Sequence, residues 1–125
     1  GSEEIRELVR KIYETVRKEN PNVKILIFII FTSDGTIKVI IVIIADDPND
    51  AKRIVKKIQE RFPKLTIKQS RNEEEAEKRI QKELEERNPN AEIQVVRSED
   101  ELKEILDKLD EKKGSWSLEH HHHHH

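Results

Sequence analysis

The sequence predicts a three-layer α/β/α sandwich, a four-stranded mixed sheet with helices on both faces, built in the order αββαβαβα. Three observations predict it. Residues 23–45 hold two nearly unbroken runs of β-branched and aromatic side chains, joined through Ser33-Asp34-Gly35-Thr36. Neither run alternates apolar with polar, so neither face of this hairpin can be left in water, and its strands belong at the centre of a sheet covered on both sides. Around it lie four segments whose apolar residues recur every three or four positions, as helices require, and two short segments that alternate, as half-buried edge strands do.

Asp34-Gly35 favours a two-residue type I′ turn, because both central residues of that turn take positive φ. With those two residues as the loop, Phe31 pairs with Lys38, Ile29 with Ile40, Phe28 with Ile41 and Leu26 with Ile43. Paired residues share a face. Leu26, Phe28, Ile30, Val39, Ile41 and Ile43 then form one apolar face, and Ile25, Ile27, Ile29, Ile40, Val42 and Ile44 the other. In this register Lys38 lays its stem over the ring of Phe31.

The remaining elements follow in chain order. Ile5, Leu8, Val9, Ile12, Tyr13 and Val16 mark a first amphipathic helix, with Glu3 and Glu4 in its first turn and a stop at Asn20-Pro21-Asn22. After the hairpin, Asp47 is the expected N-cap of a second helix with Pro48 at its first position and Ala51, Ile54, Val55, Ile58 and Phe62 as its buried stripe. Pro63 ends it. Residues 65–70 alternate and read as an edge strand in which Lys68 discourages further pairing. Asn72 and Glu75 are spaced as a capping box before a third helix, whose stripe of Ala76, Ile80 and Leu84 is thin. Residues 91–96 form the other edge strand, with Ile93 and Val95 on one face. Ser98 and Glu101 form a second capping box before a fourth helix carrying Leu102, Ile105, Leu106 and Leu109, with Gly114 as its expected end. A right-handed crossover through the second helix returns the third strand beside the second. The expected strand order is therefore 3-2-1-4, with the first strand antiparallel to both neighbours and the third helix on the opposite face; the alternative order is 4-2-1-3.

The chain of 125 residues reads as a single domain, residues 3–113, followed at residues 114–125 by a tryptophan and six histidines in the form of a purification tag. Charged residues are 40% of the sequence, yet the formal net charge is only -2, so acids and bases are interspersed. This argues against a nucleic-acid or membrane-surface partner. The apolar runs are too short to span a bilayer, no signal peptide is recognisable, and localisation is left open. Cysteine and methionine are absent, which excludes disulfides and thiol chemistry.

Chemistry finds few candidates. All histidines lie at His120 to His125, leaving the folded part without an imidazole base or ligand. Ser33, Ser70 and Ser98 have no partner base, and a single internal glycine before Gly114 rules out a glycine-rich phosphate loop. The charge runs Glu73-Glu74-Glu75 and Lys56-Lys57 read as solvated helix faces. One constellation could pass for a site: Asp46, Asp47 and Asp50 follow a central strand, where carboxylates hold Mg²⁺ in phosphoryl-transfer folds. A working site would need a further acid or lysine from a second strand end, and Ser70, Arg71, Arg97 and Ser98 offer no carboxylate. The start of the second helix accounts for them instead: Asp47 caps it, Asp50 favours the positive end of its dipole and Asp46 ends the strand in solvent, so no catalytic, cofactor or metal site is expected. An interaction module that pairs through an edge strand or the thin third helix is the alternative function, and a Mg²⁺-dependent enzyme using Asp46 and Asp47 a third.

Every loop obeys a rule of turn chemistry, the helices are capped by Asp47, Asn72 and Ser98, and the core draws only on Ile, Val, Leu, Phe, Ala and one Tyr. In these features, its Glu/Lys/Arg surfaces and its final residues 114–125, the chain resembles de novo designed ideal α/β proteins. The resemblance implies a soluble, very stable monomer without evolved activity, cofactor or partner. It implies no particular strand order.

Overall fold

The structure, a computed structural model, describes residues 2–123, with side chains described through Glu111. Its elements are α1 (Ser2–Glu19), β1 (Lys24–Phe31), β2 (Ile37–Ile44), α2 (Pro48–Arg61), β3 (Thr66–Ser70), α3 (Glu73–Arg87), β4 (Glu92–Val96) and α4 (Glu99–His123). The sheet order is β3-β2-β1-β4, with β1 antiparallel to β2 and β4 and β2 parallel to β3. This is the expected order. The crossovers through α2 and α3 run in opposite directions across the sheet, so crossovers of one hand place the two helices on opposite faces.

One apolar layer joins Val9, Ile12, Tyr13 and Val16 of α1, Ala51, Ile54 and Ile58 of α2, and Leu102 and Leu106 of α4 to Ile25, Ile27, Ile29, Ile41 and Ile43 of the hairpin. The other joins Ala76, Ile80 and Leu84 of α3 to Leu26, Phe28, Ile30, Val42 and Ile44. Three helices thus cover one face and a single helix the other. On the three-helix side α1 is also tied to α4 by Arg6 with Asp107 (2.6 Å) and Arg17 with Glu99 (3.1 Å), and to α2 by Glu19 with Lys57.

The hairpin register differs from the expected one by a single residue. Phe31 pairs with Ile37, Ile30 with Lys38, Phe28 with Ile40 and Ile27 with Ile41. The loop therefore has three residues, Ser33, Asp34 and Gly35. Thr32 N–H donates to Thr36 O (3.0 Å), Gly35 N–H donates to Thr32 O (3.1 Å), and Gly35, at φ 87°, is the only described residue with positive φ. This is a type I turn closed by a glycine in the left-handed region, the usual three-residue hairpin. Asp34 stays at negative φ and works as an acceptor, taking hydrogen bonds from Thr36 N–H (2.9 Å) and from the Thr32 hydroxyl. Those bonds, the Thr32 one foremost, hold its pKa at about 2. The slip exchanges the faces of β2 relative to β1: Val42 and Ile44, not Ile41 and Ile43, share a layer with Phe28. Lys38 consequently stands opposite Ile30, exposed, and not over Phe31.

Three helix-to-strand loops repeat one pattern. At Asn20, Phe62 and Asn88 the backbone N–H closes the preceding helix on Val16, Ile58 and Leu84, a proline follows, and the carbonyl accepts from the N–H three residues on, at Val23, Leu65 and Ala91. The two of these caps that terminate α2 and α3 have nearly the same backbone, φ -128° and ψ 74° at Phe62 and φ -131° and ψ 67° at Asn88.

Gly114 does not end the fourth helix, whose backbone runs on to His123. A glycine inside a helix costs only about 1 kcal/mol relative to alanine, and no proline follows to force a stop. The side chains of residues 112–125, including the tryptophan and the histidines read as a tag, lie outside the described residues.

One rule of polar satisfaction is broken. The Tyr13 hydroxyl is buried without a hydrogen-bond partner, and burial pushes its pKa up to about 12. The ring keeps a favourable neighbour in the Arg17 guanidinium, 5.6 Å from its centroid. Replacing Tyr13 with Phe removes the orphan and keeps the ring, so Tyr13→Phe is expected to raise the unfolding free energy by about 1 kcal/mol. Urea unfolding checks this, and a lower midpoint would mean that the hydroxyl has a partner in solution.

Candidate functional site

The acids that follow β2 occupy the end of the sheet where β2 and its parallel neighbour β3 both finish. Parallel strands that each feed a helix bring two helix N-termini to one side, the usual place for a ligand crevice in α/β sheets. A cleft of about 500 Å³ lies there, lined by Asn22, Lys24, Ile44, Ala45 and Asp46 on the hairpin side and by Arg71, Asn72, Glu73 and Glu74 at the start of α3.

The three candidate aspartates do not converge in it. Asp46 is exposed and lines the cleft. Asp47 folds back as the N-cap of α2, its carboxylate accepting from Asn49 N–H at 2.9 Å while its carbonyl accepts from Ala51 N–H at 3.2 Å. Asp50, in the first turn, pairs with Arg53 at 3.2 Å. A helix N-terminus prefers such acids, because its free N–H groups carry partial positive charge. Among the described residues no group of three or more His, Cys, Asp or Glu side chains is placed to hold a metal ion.

The cleft does contain further carboxylates, beyond the residues expected at a second strand end. Glu73 and Glu74 open α3 and face the same space as Asp46. The signal was present in the sequence, since a strand parallel to β2 must end beside it and hand its helix to the same rim. Glu73 is already paired, with Lys24 at 3.5 Å and Arg97 at 3.9 Å. Asn72 is committed too: its side chain accepts from Glu75 N–H at 3.1 Å. The reciprocal half of that capping box is replaced, because Asn72 N–H donates to the Ser70 hydroxyl (3.3 Å). At α4, Ser98 accepts from Glu101 N–H (3.2 Å), and the Glu101 carboxylate reaches one residue further back, to Arg97 N–H (2.8 Å). Ser70 and Ser98, two of the three serines read as having no partner base, are thus engaged with helix starts.

Two other concavities lie at the hairpin-tip end of the sheet. One of about 150 Å³ is lined by Phe31, Ile105 and Leu109 with Glu92, Gln94 and Lys108 at its rim. The other, about 440 Å³, lies between the start of α1 and the β2–β3 edge, with Ile5, Leu8, Ile37 and Leu65 among its walls. The polar residues of both, Glu92, Gln94 and Lys108 in the first and Glu4, Lys38, Lys64 and Thr66 in the second, are none of them buried. No helix among the described residues is long and apolar enough to cross a membrane. No protein-family model and no curated protein matches the sequence.

Proposed function

We propose that this chain is a de novo designed α/β scaffold whose residues were chosen to fold and carry no evolved activity. The observation that carries the reading is the reuse of one helix-to-strand loop at Asn20-Pro21, Phe62-Pro63 and Asn88-Pro89, with the same pair of backbone hydrogen bonds each time. Natural domains vary their loops because loops hold their sites; an idealised backbone takes each loop from a short menu. The capped starts of α2, α3 and α4 and the placing of positive φ, among the described residues, at Gly35 alone point the same way. On this reading residues 114–125 are a purification tag, and the protein is a soluble monomer without cofactor or partner.

Asp47 and Asp50 serve the start of α2 while Asp46 lies exposed at the cleft, and a Mg²⁺ titration tests that assignment. With a tag-free sample, millimolar Mg²⁺ is expected to leave the amide resonances of residues 45–51 unmoved. Saturable shifts confined to those residues would overturn it and restore the phosphoryl-transfer alternative.

A second reading, an interaction module, draws on Ile93 and Val95, which are only half-buried on the edge strand β4. Light scattering separates the two: a mass that rises with concentration supports pairing, and a constant monomer mass supports the scaffold.

A further inference from the structure

The two faces of the sheet are fastened differently. On the three-helix side the helices bury long apolar stripes, whereas α3 offers the other face only Ala76, Ile80 and Leu84. What α3 has in addition is a set of ion pairs of one polarity. Lys68 of the edge strand β3 meets Glu83 at 3.1 Å, and Arg97, just past the opposite edge strand β4, meets Glu77 and lies 3.9 Å from Glu73. Lys24, at the start of β1, reaches Glu73 at 3.5 Å. Every acid is on the helix and every base is on a strand or, for Arg97, one residue past it, so the helix is lashed down from both edges. The partners shift one another as paired groups do: Lys68 holds the Glu83 carboxyl below its usual value, and Glu77 raises Arg97. Lys68, expected to guard its edge, is turned to this task.

We propose that α3 is a separately opening cover, held on the sheet partly by these ion pairs and released by salt while the remainder of the fold stays closed. Short loops pin it at both ends, Arg71-Asn72 before it and residues 88–91 after it, so it opens by unravelling in place. Opening uncovers Leu26, Phe28 and Ile30. The pairs are partly exposed, with the paired Lys and Arg side chains between 33% and 71% accessible. Dissolved ions therefore reach them; α1 also carries ion pairs, through Arg6, Arg17 and Glu19, but it is held mainly by its longer apolar stripe, so screening loosens α3 more than the three-helix side.

Native-state amide hydrogen exchange on the full chain tests this. Between about 0.05 M and about 1 M NaCl the amides of residues 77–87 are expected to exchange roughly five- to tenfold faster, the combined effect of several partly exposed pairs, while those of α1 and β1 change less than about twofold. A double variant, Lys68→Gln with Arg97→Gln, is expected to show the faster α3 exchange already at low salt and to lose most of the salt response. Its unchanged β1 exchange would show that the fold is intact. Exchange of α3 in step with α1 at both salt concentrations would overturn the proposal, and so would fast α3 exchange that ignores salt or a double variant that behaves as the parent.

Discussion

Ile41→Asp is expected to lower the unfolding free energy by roughly 3 to 5 kcal/mol at neutral pH, enough to unfold a domain of ordinary stability. Ile41 has no exposed surface and stands between Ile27 of β1 and Ile67 of β3 in the three-helix layer. Apart from Tyr13, whose hydroxyl is buried in the same layer, no polar or charged residue is buried among the described residues, so a carboxylate there meets no base. Its pKa in the folded state would rise above the unfolded value of about 3.9. The folded state then binds the proton more tightly than the unfolded one, so the penalty is smallest below about pH 4 and grows as pH rises toward the raised folded value. Guanidinium unfolding at low and neutral pH measures both. A loss under about 1 kcal/mol at neutral pH would mean that water or a base reaches the layer.

Phe28→Ala is expected to cost about 3 to 5 kcal/mol, the usual price of deleting a buried ring. Phe28 is fully buried and is the largest side chain in the layer that α3 alone covers. With one helix above it, that layer has few neighbours able to move into the vacated space. A double-mutant cycle adds a test of the register. Phe28 and Ile80 share a layer, while Ile41 lies on the other face of the sheet. Truncations at Phe28 and Ile80 should therefore couple by more than about 0.5 kcal/mol, and those at Phe28 and Ile41 should add. The two-residue loop would instead make Phe28 and Ile41 couple, because it places Ile41 beside Phe28.

The strand order was legible because it follows from two kinds of pattern, continuous apolar runs for the centre and alternation for the edges. The hairpin register was not, and the same apolar runs explain why. A one-residue slip normally exposes an apolar face, but in β1 and β2 both faces are apolar, so either register buries the same residues. The turn then had to decide, and Asp34-Gly35 suits a two-residue loop as well as the second half of a three-residue one. Thr32 and Thr36 were the distinguishing residues: the Thr32 hydroxyl and the Thr36 N–H both donate to Asp34, which keeps Asp34 out of the positive φ that the shorter turn demands. The strand-end acids were legible as caps from Asp47-Pro48 alone. Glu73 and Glu74 were missed at the same rim because the sequence marks them as a helix start, although the expected crossover already makes β3 parallel to β2 and so brings that start beside Asp46.

A stability scan of the strand-end residues measures most directly whether they serve the fold or a site. Asp47, Asn72 and Ser98 each accept a backbone N–H at a helix start, so replacing any of them with Ala should lower the unfolding free energy by about 0.5 to 2 kcal/mol. Asp46, exposed at the cleft, should change it by less than about 0.5 kcal/mol. Residues held in place for chemistry behave in the opposite way, because a site gathers like charges and unsatisfied groups at a cost in stability that their removal relieves. A gain on replacing Asp46 or Asp47 would contradict the scaffold reading, and losses confined to the three caps are what it predicts.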